Sequence, residues 1–346
     1  MLNYSSSMPS ARSRVVNQLT RVGTRVAYRK PKGIPSMRES FDRRDAKGVK
    51  PLPVGFTMEE VVVPVPGRWL RNAAASSGRT VLYLHGGAFV LRLRNSHTAF
   101  AASLADAVGA SVFLPWYRLA PEDPFPAAPD DCLAAYRHLL DSGTSAEDVI
   151  VMGDSAGGNL ALSLLHLIKR DGLPMPGAVV AFSPITDFAQ ISATWRLNKW
   201  RDPMYVVQGA VVPQVHYLQG ASPVDPVASP YYGDLSGLPP VLVLVGGVEA
   251  MTDDAVSYVK KAVEAGVDAT VQIWAGMPHV FLLYAFLPET ADARAEVARW
   301  VLDTLDGPRR QSQGDCFEYR SRVQVFDRAS FTGRMRVETN DVYLAD

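Results

Sequence analysis

Val149-Ile150-Val151-Met152 followed at once by Gly153-Asp154-Ser155-Ala156-Gly157 decides how this chain folds. A short apolar run leads into G-x-S-x-G, and a helical stretch from Ala156 to Arg170 follows. The motif needs that context: a serine on a sharp strand-to-helix turn, with glycines leaving the room that side chains would fill. The helix N-terminus behind the serine favours developing negative charge. Ser155 is therefore the candidate nucleophile.

Outward from this turn, strand-like and helical segments alternate. Thr80 to His85, Ser111 to Leu114, Val149 to Met152, Val179 to Phe182, Val241 to Val245 and Ala269 to Trp274 read as short strands. Their largely continuous apolar runs fit strands covered on both faces. Ser96 to Val108, Pro129 to Leu140, Ala156 to Arg170, Asp253 to Ala265 and Glu289 to Leu305 read as the helices between and after them. The alternation predicts an α/β domain with a mostly parallel central sheet flanked by helices. It is broken at Trp195 to Leu218, where Met204, Val207, Val211 and Val215 recur at helical spacing as an insertion.

Directly after the first of these strands stands His85-Gly86-Gly87-Ala88-Phe89. Two successive glycines let peptide N–H groups point inward, so Gly86 and Gly87, with Ala156, are expected to form an oxyanion hole. Such preorganised donors are worth roughly 3 to 4 kcal/mol each. His85 precedes the nucleophile and is expected to buttress this loop. The base is expected after the last strand, where Met277-Pro278-His279-Val280-Phe281 supplies His279. Of the six histidines, His97, His138 and His166 fall in helical patterns and His216 in the insertion. The acid must reach the far imidazole nitrogen and hold its tautomer. Glu249 is the first carboxylate after Val241 to Val245. Asp253 is the alternative, although it and Asp254 also suit the start of a helix.

Length and composition set the bounds. At 346 residues, one large α/β domain with decorations is allowed. The 47% apolar and 20% charged fractions are those of an ordinary globular chain, and a formal net charge of zero gives no global attraction to nucleic acid. No run of about 18 apolar residues is present, nor a secretory h-region, so a cytoplasmic protein without stable membrane insertion is expected. Two cysteines, Cys132 and Cys316, are too few for a disulfide scaffold or a metal site, and both are expected to be reduced. One local charge bias stands out. Before Glu39 no acid occurs, while Arg12, Arg14, Arg21, Arg25, Arg29, Lys30, Lys32 and Arg38 are basic. From Ser10 to Tyr28, Val15, Leu19, Val22 and Val26 recur at helical spacing, which predicts a basic amphipathic helix packed on the rest of the protein. A membrane-surface role and an organelle leader are the other readings of this segment. The last forty residues read as a linker and a short β-like appendage, with a brief alternation at Val323 and Val325 interrupted by Phe326.

Taken together, the motifs resemble the hormone-sensitive-lipase-like family of α/β-hydrolases, the bacterial family IV esterases. His85-Gly86-Gly87 resembles that family's oxyanion motif, and Gly153 to Asn159 its nucleophile elbow. Tyr117-Arg118-Leu119-Ala120-Pro121-Glu122, Asp225-Pro226 with Ser229-Pro230, and Leu238-Pro239-Pro240 also look familial. The order Ser, acid, His is that of α/β-hydrolases. Two departures stand out: Glu249-Ala250-Met251 where the family usually has Asp-Pro-Leu, and Trp116 where it usually has Asp. The resemblance implies a helical cap from residues 1 to 55 and about 189 to 222, a catalytic domain over 56 to 306, and an extension over 307 to 346. It implies a serine carboxylesterase acting on small-molecule esters of short to medium acyl chain, with no cofactor or metal; a homodimer stays open. Phe89, Trp195, Trp200, Met204, Tyr205 and Val280 are the candidate substrate-lining residues. The rival readings are a dedicated deacetylase, amidase or acyltransferase, a non-catalytic receptor, and a lyase; Ser155 and His279 argue against the last two.

Overall fold

The computed structural model describes residues 9–28, 33–46, 51–62, 65–75, 78–198, 200–204, 214–307 and 322–326. Among the described residues nine strands form a single sheet: β1 (Phe56–Val61), β2 (Gly67–Asn72), β3 (Thr80–Leu84), β4 (Ser111–Pro115), β5 (Val149–Asp154), β6 (Ala178–Phe182), β7 (Val241–Gly246), β8 (Ala269–Trp274) and β9 (Arg322–Phe326). Their order is β1-β2-β4-β3-β5-β6-β7-β8-β9. β1 and β2 pair antiparallel, as do β2 and β4, and every other pairing is parallel. The β1–β2 hairpin was not anticipated. β1 is an edge strand with four exposed residues between two half-buried ends, so it lacks the apolar run that marks the central strands. The C-terminal strand β9 lies beside β8, with Val323 opposite Val271.

Strand alternation divides the core into two layers. Leu82 and Leu84, Val149 and Val151, Val179 and Ala181, and Val241, Val243 and Val245 point to one face, where α4 (Ala127–Asp141), α5 (Ala156–Arg170) and α7 (Thr252–Glu264) cover them. Val81, Tyr83, Ile150, Met152, Val180, Phe182, Leu242 and Leu244 point to the other, under α3 (Asn95–Ala107) and α8 (Pro288–Asp306). Burial on both faces explains why these strands read as continuous apolar runs. The helical bounds agree with the sequence expectation to within two residues.

Three further helices lie outside these two core layers. α1 (Ala11–Tyr28) and α2 (Ile34–Asp45) come from the N-terminal segment, and α6 (Thr194–Leu197) belongs to the insertion. A single turn at Gln214–Leu218 closes the described part of that insertion. Residues 205–213, with Val207 and Val211, lie outside the described residues, as does Cys316; Cys132 is a buried free thiol. Among the described residues no helix is long and apolar enough to cross a membrane.

α1 departs from expectation in which face it buries. Its apolar positions Val15, Leu19, Val22 and Val26 face solvent, and its polar side packs on the protein. Ser10 and Ser13 are buried against Glu289, and Asn17 Nδ2 donates to the Gly276 carbonyl at 2.8 Å. Helical spacing identified the stripe; specific long-range hydrogen bonds, which spacing does not encode, decide where it points.

Candidate active site

The carboxyl ends of β3, β5, β7 and β8 converge at one edge of the sheet, which is where open parallel sheets present their reactive groups. β5 ends at Asp154, and Ser155 follows with φ 54 and ψ −117 before α5 begins. A positive φ in a non-glycine residue is strained backbone. It is held by the Ser155 N–H donating to the Phe182 carbonyl at 2.8 Å and by the Asn159 N–H donating to the Ser155 carbonyl at 3.0 Å. The elbow closes backbone to backbone, because a Cβ on Gly157 would collide with the Leu84 carbonyl and one on Gly153 with the Gly157 carbonyl.

Three side chains meet in sequence. His279 Nε2 lies 2.9 Å from Ser155 Oγ, and His279 Nδ1 lies 2.8 Å from Glu249 Oε2. Glu249 is fully buried; its Oε1 accepts from Ser183 Oγ at 2.7 Å and from the Gly246 N–H at 2.5 Å. Ser183 Oγ in turn accepts the Val280 N–H at 3.1 Å, which ties the histidine loop to the same carboxylate. Burial opposes a charge on the His279 imidazole, but the bonded Glu249 carboxylate, with Asp202 and Asp154 nearby, lifts it above the ordinary histidine range. The arrangement can orient one imidazole tautomer and draw a proton from Ser155 Oγ.

Asp253, the alternative acid, is turned elsewhere. Its Oδ2 accepts the Thr194 N–H at 3.1 Å and its own N–H donates to Thr194 Oγ1 at 3.1 Å, so it fastens the insertion to α7. Asp254 does the same with Ser192 and with Trp195 Nε1, which donates at 3.1 Å.

In the loop after β3, the structure departs from the expectation that Gly86 is a free peptide donor. The Gly86 N–H donates to Asp154 Oδ1 at 2.9 Å, so that donor is committed to the elbow. Gly86 is glycine because a Cβ there would strike the Asp154 carboxylate. The peptides that follow, Gly87 with φ 135 and Ala88 with φ 54, carry the next N–H groups along the loop. Asp154 also accepts from the Tyr83 hydroxyl at 2.7 Å and stands 3.5 Å from His97 Nε2. Burial alone would raise its carboxyl, but His97 and the Tyr83 hydroxyl hold it well below the usual carboxylate range. His85 is buried with Nδ1 2.9 Å from the Gly86 carbonyl, and its ring stacks on Tyr117 at 4.4 Å. Burial pushes its imidazole down to about 3. Buried and stacked, the ring packs beneath the loop.

The substrate-lining candidates divide. Phe89 is fully buried and stacks on Tyr217 at 3.7 Å, with Phe188 at 5.9 Å. Val280 is buried beside His279 with φ 49. Met204 is half-buried, and its sulfur accepts from the Tyr284 hydroxyl at 3.5 Å. Trp195 is half-buried and bound to Asp254. Trp200, by contrast, stands on the outer surface, 68% exposed with the Arg25 guanidinium 6.0 Å from its ring. Aromatic identity in the insertion signalled a wall, but it did not say which ring faces inward. Tyr205 lies outside the described residues.

Two residues of the insertion escaped the sequence reading. Asn198 Nδ2 donates to the Glu249 carbonyl at 2.8 Å, and buried Asp202 accepts the Ala250 N–H at 2.9 Å. Both clamp the segment that carries Glu249 from about fifty residues away in sequence, and no local motif marks them. Trp116 lines a separate cavity of about 570 Å³ with Arg38, Arg68, Arg92, His85 and Tyr117, and Ser155, Glu249 and His279 are not among the residues lining it.

Residues 81–283 match the family described as having the alpha/beta hydrolase fold. The chain is 40% identical over 272 residues to an acetyl-hydrolase of Streptomyces hygroscopicus, a match covering 78% of this chain and 90% of that protein. It is 36% identical over 232 residues to an esterase of Acinetobacter venetianus, covering 66% of this chain and 77% of the relative. Among solved structures it is similar to an esterase from the bacterial hormone-sensitive lipase family, with a TM-score of 0.79 and 35% identity over 86% of this chain and 99% of the other.

Proposed function

This chain belongs to the α/β-hydrolase family, within its bacterial hormone-sensitive-lipase-like branch, and on that premise we propose that it is a serine carboxylesterase working through Ser155, Glu249 and His279. That it hydrolyses carboxylic esters follows from its relatives, which are esterases and acetyl-hydrolases. The observation that carries the residue assignment is the unbroken line from Glu249 Oε2 through both nitrogens of His279 to Ser155 Oγ, at 2.8 and 2.9 Å.

In this reading His279 takes the Ser155 proton as Oγ attacks the ester carbonyl, and Glu249 holds the imidazole tautomer and steadies the imidazolium. The oxyanion forms against the N–H groups of Gly87, Ala88 and Ala156, because the Gly86 N–H is taken by Asp154. His279 then returns the proton to the leaving alcohol. Water, activated by the same imidazole, attacks the acyl-enzyme and frees Ser155. No step draws on a cofactor or metal.

The substrate is a small ester of short to medium acyl chain. The closed packing of Phe89, Phe188 and Tyr217 behind the oxyanion loop supports the shorter end of that range. A dedicated acetyl-ester hydrolase is the second reading, favoured by the likeness to an acetyl-hydrolase. Assays of p-nitrophenyl esters from acetate to dodecanoate, with Ser155→Ala beside the wild type, test both. Turnover that peaks between acetate and hexanoate and vanishes in Ser155→Ala is expected. Acetate alone being cleaved selects the dedicated enzyme, and no turnover by folded wild-type protein overturns the esterase proposal.

A further inference from the structure

An amphipathic helix on a folded protein normally turns its apolar side inward. α1 does the reverse. Val15, Leu19, Val22 and Val26 are 58%, 68%, 61% and 59% exposed, and at 3.6 residues per turn they form one stripe along the outer face. The inverted orientation is actively held. Ser10 and Ser13 bond to Glu289 at 2.8 and 2.9 Å, Asn17 to the Gly276 carbonyl at 2.8 Å, and Arg21 Nη2 to the Arg201 carbonyl at 2.8 Å. On the helical wheel the stripe lies between Arg12 on one side and Arg14 and Arg25 on the other, all three exposed. No acidic residue occurs in α1. Exposed Trp200 extends the surface beside Arg25.

We infer that α1 is an interfacial helix that seats the enzyme in the plane of an anionic lipid surface. An apolar stripe bordered by arginines, with an indole at its margin, matches such a surface chemically: side chains enter the acyl boundary and guanidinium groups meet phosphate headgroups. A second copy of this chain is the poorer occupant, since pairing two such faces brings arginines against arginines with no carboxylate on either helix. Because Asn17 bonds Gly276, three residues before His279, docking through α1 sets the catalytic edge of the sheet close to the lipid.

The test is co-sedimentation of the full chain with phosphatidylcholine vesicles that contain or lack phosphatidylglycerol, at low and high salt. Wild type is expected to pellet with the anionic vesicles and to be released by salt. Each arginine near such a surface contributes about fivefold in partitioning, so Arg12→Gln/Arg14→Gln/Arg25→Gln together should weaken binding about a hundredfold. Leu19→Asn/Val22→Asn, on exposed positions, should weaken it more than about tenfold and leave turnover of p-nitrophenyl butyrate in vesicle-free buffer unchanged. No pelleting, equal pelleting with neutral vesicles, or undiminished pelleting of Leu19→Asn/Val22→Asn overturns the inference. So does a dimer in light scattering that Leu19→Asn/Val22→Asn dissociates, which would give the stripe to a second copy.

Discussion

Replacing Glu249 by glutamine preserves the side chain's shape, and its surroundings dictate how the amide must sit. Oε1 receives two donors, Ser183 Oγ at 2.7 Å and the Gly246 N–H at 2.5 Å, and Oε2 faces His279 Nδ1 at 2.8 Å. An amide nitrogen at the Oε1 position would meet those two donors with a third. Since a buried unsatisfied donor costs about 1–3 kcal/mol, the amide oxygen takes that place. The amide N–H then points at His279 Nδ1, which must accept it. The ring proton moves to Nε2, where it confronts Ser155 Oγ, so the imidazole cannot receive the serine proton. The equivalent tautomer inversion in a Ser-His-Asp enzyme costs about 10⁴ in kcat, or about 5.5 kcal/mol. Glu249→Gln is therefore expected to lower kcat for p-nitrophenyl butyrate about 10⁴-fold with KM changed by less than about threefold. Circular dichroism should show the fold retained. The imidazole also loses the carboxylate that raises it, so the acid limb of kcat/KM should move to lower pH in whatever activity remains. A folded Glu249→Gln that keeps more than about a tenth of wild-type kcat, or an equal loss in Asp253→Asn, refutes this tautomer account.

Ser183→Ala removes one donor from Glu249 and strands the buried Val280 N–H, so a stability loss of about 1–3 kcal/mol by denaturant titration is expected, together with a fall in kcat at nearly constant KM. In the wild type, kcat/KM should fall on the acid side with a midpoint above the ordinary imidazole value, because only neutral His279 accepts the proton and its pKa is raised; a midpoint below that value would contradict the Glu249 contact. Gly157→Ala drives a Cβ into the Leu84 carbonyl, and the expected outcome is loss of soluble folded protein or of all esterase activity. Burial lifts the Asp254 carboxyl to about 8, well above its unfolded value, so its contribution to stability is greatest in acid and is lost as pH rises toward that value. Asp254→Asn, uncharged at any pH, should gain thermal stability relative to wild type between about pH 4 and about pH 8, at up to about 1.4 kcal/mol per pH unit. A gap between the two melting curves that does not change with pH would contradict the assignment.

The parts of this fold that sequence reveals are those written in local periodicity. β3 to β8 and α3, α4, α5, α7 and α8 each carry an apolar pattern that a sheet covered on both faces imposes. The elbow at Ser155 and the glycines after His85 are legible because backbone crowding there admits few alternatives. His279 and Glu249 follow from chain order. What local pattern does not carry is direction over distance. The face on which α1 lies is set by Glu289 and Gly276, more than 250 residues away. Asn198 and Asp202 look like ordinary polar residues until Glu249 and Ala250 are found beside them. Gly86 and Gly87 carry the same expectation as peptide donors in sequence, and only the structure shows that the Asp154 carboxylate takes the Gly86 N–H. The β1–β2 hairpin, exposed along its edge, has too little apolar pattern to register.

An activated nucleophile at Ser155 is open to covalent capture by diethyl p-nitrophenyl phosphate, read by intact-mass analysis and peptide mapping. Stoichiometric phosphorylation confined to Ser155, coincident with loss of esterase activity and sharply slowed in His279→Ala, is the predicted result. A folded, esterase-active wild type that remains unmodified, or that carries the adduct elsewhere while Ser155→Ala keeps its activity, would rule out Ser155 as the nucleophile.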